Sequence, residues 1–130
     1  MIVAAASAVL EALLNTPAGD AIADILLDPA ETVAAPHLLD LEVLQVLRRY
    51  TLTGSIDTER GQQAIEDYLA MPILRYPHEP LVSRVWDLRD NLTAYDATYI
   101  ALAEALDAPL LTRDARLAAA PAHGARIELV

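Results

Sequence analysis

The stretch 91–114 limits the choice of fold more than any other part of the chain. It begins with a polar segment that reaches Asp96, continues as an apolar helical run, and closes at Pro109. Leu110 and Leu111 then form a short apolar run, which is typical of a buried strand in a parallel sheet. The helical run carries apolar residues at the three-and-four spacing of a buried face: Tyr99, Leu102, Ala103 and Leu106.

Two acidic residues stand at the two ends of this helix–strand unit. Asp96 lies at the start of the helix, and Asp114 lies just past the strand. Functional groups of open α/β sheets gather at the carboxyl ends of the strands, so two acids at that edge form a candidate metal site. Each acid also fits a helix cap: Thr93 to Asp96 resembles a capping box, and Asp114 precedes a short helical run. The two residues alone leave both interpretations open.

The rest of the chain alternates short apolar runs with amphipathic segments. Strands are predicted at residues 1–4, 31–35, 72–75, 110–111 and 126–130. Helices are predicted at 8–14 with Ser7 as the N-cap, and at 16–28, 37–52, 57–71, 81–90, 96–106 and 115–119. The helix at 81–90 is predicted to bury Val82, Val85, Trp86 and either Leu88 or Arg89. This alternation predicts a single α/β domain over residues 1–130, with a parallel sheet of four or five strands covered on both faces.

Composition removes several classes of function. The net charge is −10, which argues against a broad basic face for nucleic acid. All the cationic residues are arginine, so there is no P-loop lysine and no Schiff-base lysine. Cysteine is absent, which excludes disulfides and thiolate zinc sites. No apolar run approaches the roughly 20 residues that span a bilayer, and we expect a cytoplasmic protein of a prokaryote.

A third acid, Glu42, lies inside an apolar segment of the helix predicted at 37–52. A carboxylate in such a place is costly to bury unless it is paired or binds a cation. Its alternatives are exposure to solvent or an ion pair with Arg48 or Arg49. Four arginines also have two possible roles: they contact phosphates near the site, or they form ion pairs with surface acids. These arginines are Arg48, Arg49, Arg113 and Arg116.

Four segments together resemble the PIN domains, and in particular the VapC toxins of prokaryotic toxin–antitoxin pairs. They are Ile2-Val-Ala-Ala-Ala-Ser7-Ala8-Val9, Ala35-Pro36-His-Leu-Leu-Asp-Leu-Glu42-Val, Leu92-Thr-Ala-Tyr-Asp96-Ala-Thr-Tyr-Ile-Ala-Leu-Ala and Leu111-Thr112-Arg-Asp114-Ala-Arg-Leu. The resemblance covers essentially the whole chain. It implies a three-layer α/β/α sandwich and a metal-dependent endoribonuclease toxin that binds Mg²⁺ or Mn²⁺.

The resemblance also implies roles for particular residues. Glu42, Asp96 and Asp114 would be carboxylates of the metal cluster, and Thr112 and Ser7 would be polar supports. The implied partners are an RNA substrate, a small VapB-type antitoxin that covers the site, and a second copy of the chain in a homodimer. Hard divalent cations prefer oxygen ligands, so this set of residues suits the implied chemistry.

The chain departs from the family pattern at Ala5. The family places an aspartate there, at the end of the first strand, and alanine offers no metal ligand. Three explanations compete: a deliberate inactivating substitution, a naturally inactive homologue, or an enzyme that works with three acids. We favour the first, and we expect the chain as written to be weak or inactive. The competing hypothesis is a non-catalytic PIN-like module that binds RNA or a partner.

Overall fold

The computed structural model describes residues 1–130 and contains one five-stranded sheet in which all strands are parallel. The strands are β1 (Ile2–Ala4), β2 (Val33–Pro36), β3 (Ile73–Tyr76), β4 (Leu110–Thr112) and β5 (Ile127–Leu129). Their order across the sheet is β3-β2-β1-β4-β5. The predicted parallel sheet is therefore confirmed, with five strands, each within three residues of its predicted ends.

Seven α-helices connect and cover these strands. They are α1 (Ala6–Leu13), α2 (Gly19–Leu26), α3 (Leu38–Thr53), α4 (Thr58–Ala70), α5 (Val82–Asp87), α6 (Ala94–Leu106) and α7 (Ala115–Ala118). A 3₁₀ turn at Glu79–Leu81 leads into α5. None of the helices combines the length and the hydrophobicity needed to cross a membrane.

The central strand β1 divides the core into two halves. Ile2 and Ala4 face a cluster built with α1, α2, α3 and α4, whereas Val3 and Ala5 face a second cluster built with α5, α6 and α7. This division follows from the period of two in a strand, which sends successive side chains to opposite faces. Helices therefore cover both faces of the sheet, which confirms the predicted three-layer α/β/α sandwich.

The chain reverses its direction of travel across the sheet at β1. It first adds β2 and β3 on one side and then β4 and β5 on the other. The carboxyl ends of β1 and β4 are held together because Ala4 pairs with Leu111 and the Ala5 amide donates to the Leu111 carbonyl at 3.0 Å. A crevice at such a reversal is where open α/β sheets bind ligands.

The predicted start of α1 was wrong. Ser7 lies inside the helix, and Ala5 holds the N-cap position with an extended backbone and no capping side chain. The Ala5 carbonyl accepts from the amides of Ala8 and Val9, so the helix begins directly after the strand. Ser7 is consequently free to direct its hydroxyl elsewhere, as described below.

The prediction for the segment 81–90 was wrong in length and wrong for two of its buried residues. The helix itself spans only Val82–Asp87, because a 3₁₀ turn that contains Pro80 precedes it. Val82 and Trp86 are 60% and 66% exposed, whereas Leu88 is buried and Val85 is partly buried against the core, as predicted. The short helix α5 therefore contacts the core through Val85, while Leu81 and Leu88 are the buried residues on either side of it.

Candidate active site

A small cavity of about 160 Å³ opens at the carboxyl ends of β1 and β4. Its walls come from the β1–α1 junction, from α3, from the first turns of α6 and from the β4–α7 junction. All six residues that the sequence singled out line it: Ala5, Ser7, Glu42, Asp96, Thr112 and Asp114. Residues from four separate parts of the chain therefore meet in one place.

Glu42 enters the cavity from α3 and is held by a tyrosine. The Tyr99 hydroxyl donates to Oε1 of Glu42 at 2.5 Å. Glu42 is half-buried and forms no ion pair, so it is neither fully exposed to solvent nor paired with Arg48 or Arg49. Burial raises the pKa of Glu42, the Tyr99 hydrogen bond opposes that rise, and the nearby negative charge of Asp96 adds to it.

Asp96 lies in the first turn of α6 with its carboxylate free. The cap of this helix is Thr93, whose hydroxyl accepts from the Asp96 amide at 3.1 Å. The carboxylate itself accepts no hydrogen bond and forms no ion pair. The half of the capping box that would use the Asp96 side chain is therefore not formed, and this acid faces the cavity without a partner.

Asp114 serves both of the roles that the sequence left open. It is the N-cap of α7, because its carboxylate accepts from the Arg116 amide at 2.9 Å, and it also lines the cavity. The Arg116 guanidinium approaches the same carboxylate, with Nη2 at 3.1 Å from Oδ2. These hydrogen bonds from Arg116 hold the pKa of Asp114 below its usual range.

A pair of hydroxyl groups fixes the turn between β4 and α7. The Ser7 and Thr112 oxygens are 3.2 Å apart, and Thr112 is fully buried. Ser7 Oγ accepts from the Arg113 amide at 3.0 Å, and Thr112 Oγ1 accepts from the Asp114 amide at 3.0 Å. Both hydroxyls therefore position the backbone that carries Asp114, and this is the contact that the sequence could not specify for Ser7.

Tyr99 is a residue of this site that the sequence analysis assigned only to the buried face of the helix. It lines the cavity and bonds to Glu42. A usable signal was present, because Tyr99 follows Asp96 by three positions, and residues three apart lie side by side on a helix. The same spacing that buries Tyr99 places its hydroxyl next to the acid.

The cavity offers the type of oxygen ligand that a hard divalent cation prefers. Carboxylates and water are the ligands that Mg²⁺ and Mn²⁺ prefer. No group of three or more His, Asp or Glu side chains is close enough to form a ready ligand set. Two of the carboxylates are engaged by Tyr99 and Arg116, and Ala5 supplies no ligand where a fourth would stand.

Comparison with known proteins shows the family to which the chain belongs. The family model of the PIN domain matches residues 2–122. The chain belongs to the PIN-domain family. It is 42% identical over 130 residues to Ribonuclease VapC12 of Mycobacterium tuberculosis, an alignment that covers 100% of this chain and 99% of the relative. It is 48% identical over 130 residues to Ribonuclease VapC1 of the same organism, covering 96% and 94%.

Solved structures share the same PIN fold. VapBC2 from Rickettsia felis, bound to a DNA fragment from its promoter, superposes with a TM-score of 0.73 at 17% identity, over 99% of this chain and 98% of that one. VapC20 of Mycobacterium tuberculosis, a toxin that cleaves the sarcin–ricin loop, superposes with a TM-score of 0.68 at 15% identity, over 92% and 94%. At these identities the likeness concerns the fold.

Proposed function

We propose that this chain is built as an endoribonuclease toxin of a toxin–antitoxin pair, which hydrolyses phosphodiester bonds of RNA. The observation that carries the proposal is the cavity at the β1/β4 crevice, lined by Glu42, Asp96 and Asp114 in a chain whose full-length relatives are named VapC ribonucleases. Residues 1–130 would act as one domain, since every strand belongs to one sheet.

Glu42, Asp96 and Asp114 would hold Mg²⁺ or Mn²⁺, with one or two of these carboxylates bound directly and the rest through water. Bound there, such an ion would lower the pKa of a water molecule and neutralise charge on the phosphate. Asp96 is the most available of the three residues, because its carboxylate has no protein partner. Tyr99 orients Glu42, and the Thr112 hydroxyl orients the turn that carries Asp114, so these two groups position the acids.

Ala5 would make the chain as written weak or inactive. Its side chain lines the cavity, and the residue is only 5% exposed, so an aspartate at this position would add a carboxylate beside Asp96. Alanine leaves that side of the cavity without a ligand. The same observation favours a second candidate function, a PIN-like module that binds RNA or a partner without cutting.

A VapB-type antitoxin would be the protein partner. A likeness in fold to the VapBC2 structure supports this proposal, together with the free acid in the cavity. A metal-free cavity with carboxylate walls attracts a cation, so a basic residue of the partner would fit there. Such a segment would block the cavity and thereby inhibit RNA cleavage.

An exposed apolar face on α5 and the start of α6 supports a homodimer. Val82, Trp86 and Tyr95 are each at least 60% exposed there, and Trp86 is the single tryptophan of the chain. Self-association through this face would bury Trp86 and shift its emission to the blue as concentration rises. Trp86→Ser would weaken the dimer in ultracentrifugation, while Leu52→Ser, at an equally exposed position on α3, would not.

Metal binding tests the proposed site directly. Calorimetric titration with Mn²⁺ should give tighter binding for Ala5→Asp than for the chain as written, because one ligand is restored. Asp96→Asn in the Ala5→Asp background should reverse that gain. Equal Mn²⁺ affinities for the chain and for Ala5→Asp would contradict the metal assignment.

A further inference from the structure

A second cleft opens directly beside the acid cavity, between α1 and α3. Its volume is about 430 Å³, and it shares three wall residues with the cavity: Ala6, Ser7 and Glu42. A strand that places one phosphate in the acid cavity would therefore reach this cleft by passing these three shared residues. The cleft is thus a candidate path for the substrate.

The sequence analysis gave four arginines the same two possible roles, and the structure shows that they lie in different surroundings. Arg49 and Arg113 line the cleft, whereas Arg48 lines a different cleft between α3 and α4. Arg116 is engaged by Asp114. Arg49 forms no ion pair in a protein with nineteen acidic residues, and its guanidinium carbon lies 5.6 Å from the centre of the Tyr50 ring, so its hydrogen-bond donors have no anionic partner.

The position of Arg49 on its helix places it in line with the site. Glu42, Gln45 and Arg49 follow the spacing of one helix face and all line the cleft. Arg49 follows Glu42 by seven positions along the helix, a rise of about 10 Å. The hydrogen-bond donors of Gln45 and Arg49 therefore lie beyond Glu42 along the α3 wall of the cleft.

Arg113 stands on the opposite side of the cleft and is held in place. Its Nη1 donates to the Val130 carbonyl at 2.9 Å, and its Nε lies 3.7 Å from the Glu11 carboxylate. A guanidinium fixed in this way loses little freedom when it binds an anion. Arg113 is already partly neutralised by Glu11, so Arg49 is the stronger of the two phosphate ligands.

We propose that single-stranded RNA runs from the acid cavity into the cleft between α1 and α3, where Arg49 binds a backbone phosphate and Arg113 supports it. This inference rests on the proposed function, because it names the path of the same substrate. A chain of net charge −10 repels RNA at long range, so a local arginine contact is needed to hold the strand. Guanidinium groups match phosphate oxygens in pairs, which suits this task.

The test measures binding of a fluorescent, mixed-sequence single-stranded RNA to the chain as written, with Mg²⁺ present and the RNA checked afterwards for intactness. Arg49→Gln should weaken binding about tenfold and lower the salt slope by about 0.7, the value for one phosphate contact on a single strand. Arg48→Gln is the matched control, and it should stay within twofold. Arg49→Lys should restore most of the salt slope, because it keeps the charge.

An equal loss of RNA affinity in Arg49→Gln and Arg48→Gln would overturn the inference. So would an Arg49→Gln variant that keeps its RNA affinity and loses affinity only for a protein partner. Both results leave the proposed function untouched. An absence of RNA binding in every variant, together with no RNA cleavage by Ala5→Asp, would overturn the proposed function itself. Melting temperatures of the three arginine variants confirm that each remains folded.

Discussion

The Tyr99 hydroxyl donates a hydrogen bond to the Glu42 carboxylate at 2.5 Å and so joins α6 to α3 across the cavity. Tyr99 is 3% exposed, and burial together with this hydrogen bond raises its pKa above the ordinary value for tyrosine. The hydroxyl therefore remains protonated and continues to donate at neutral pH. Glu42 is thereby held in one orientation before any ligand arrives.

Tyr99→Phe should lower the free energy of unfolding by about 1–2 kcal/mol. The change removes the hydroxyl and leaves a half-buried carboxylate without its donor. Urea denaturation measures the effect. Tyr95→Phe is the matched control on the same helix, since Tyr95 is 62% exposed and its hydroxyl makes no hydrogen bond. Equal stability of the two variants would show that the contact contributes nothing.

Ala5→Asp should lower the melting temperature of the metal-free protein by a few degrees. The new carboxylate would lie beside Glu42 and Asp96, and repulsion of about 1 kcal/mol is enough for a shift of this size. Thermal unfolding with EDTA present measures it. Ala30→Asp adds the same charge to an exposed loop before β2 and should change the melting temperature much less. A higher melting temperature for Ala5→Asp would contradict the prediction.

Thr112→Val should destabilise the protein by about 1–3 kcal/mol while filling nearly the same volume. It removes a fully buried hydroxyl that accepts from the Asp114 amide and contacts Ser7. Thr112→Ser keeps that hydroxyl, so it should lose less stability and retain more Mn²⁺ affinity in the Ala5→Asp background. If valine and serine behave alike, the hydroxyl does not position Asp114.

Glu104→Gln should destabilise the protein at pH 7 by about 1–2 kcal/mol, and the difference should shrink in acid. Arg84 donates twice to Glu104, at 2.8 and 2.9 Å, and holds the pKa of Glu104 below its ordinary value of 4.5. A lowered carboxyl pKa stabilises the folded state above pH 4.5, and this contribution is lost as the pH falls through the lowered value. Urea denaturation from pH 7 to pH 3 follows the effect, and a constant difference would contradict it.

The sequence predicted the fold well because hydrophobic spacing reports burial directly. On α6 it predicted a buried face, of which Tyr99, Leu102 and Ala103 are buried and Leu106 is partly buried. Proline and polar residues between the apolar runs then marked the ends of helices and strands. Five parallel strands and two covering layers follow from these local signals.

The finer features of the site depend on contacts between distant parts of the chain, which no local spacing contains. The bond between Tyr99 and Glu42 joins residues 57 positions apart, and that between Ser7 and Thr112 joins residues 105 apart. The exposure of Trp86 was missed for a different reason, since an apolar residue on a short surface helix has the same spacing as a buried one. The sequence analysis therefore named the acids and the supporting residues Ser7 and Thr112, but it did not specify the contacts of these hydroxyls or the bond from Tyr99.

The most direct test of the central claim is cleavage of single-stranded RNA by the chain as written beside Ala5→Asp, each with Mn²⁺ or Mg²⁺ and with EDTA. We predict metal-dependent cleavage by Ala5→Asp, little or none by the chain as written, and loss of the restored activity on Asp96→Asn. No cleavage by Ala5→Asp, with binding of RNA or a partner intact, would contradict the account and favour a non-catalytic module. Comparable cleavage by both forms would show that three acids suffice and that Ala5 does not inactivate the enzyme.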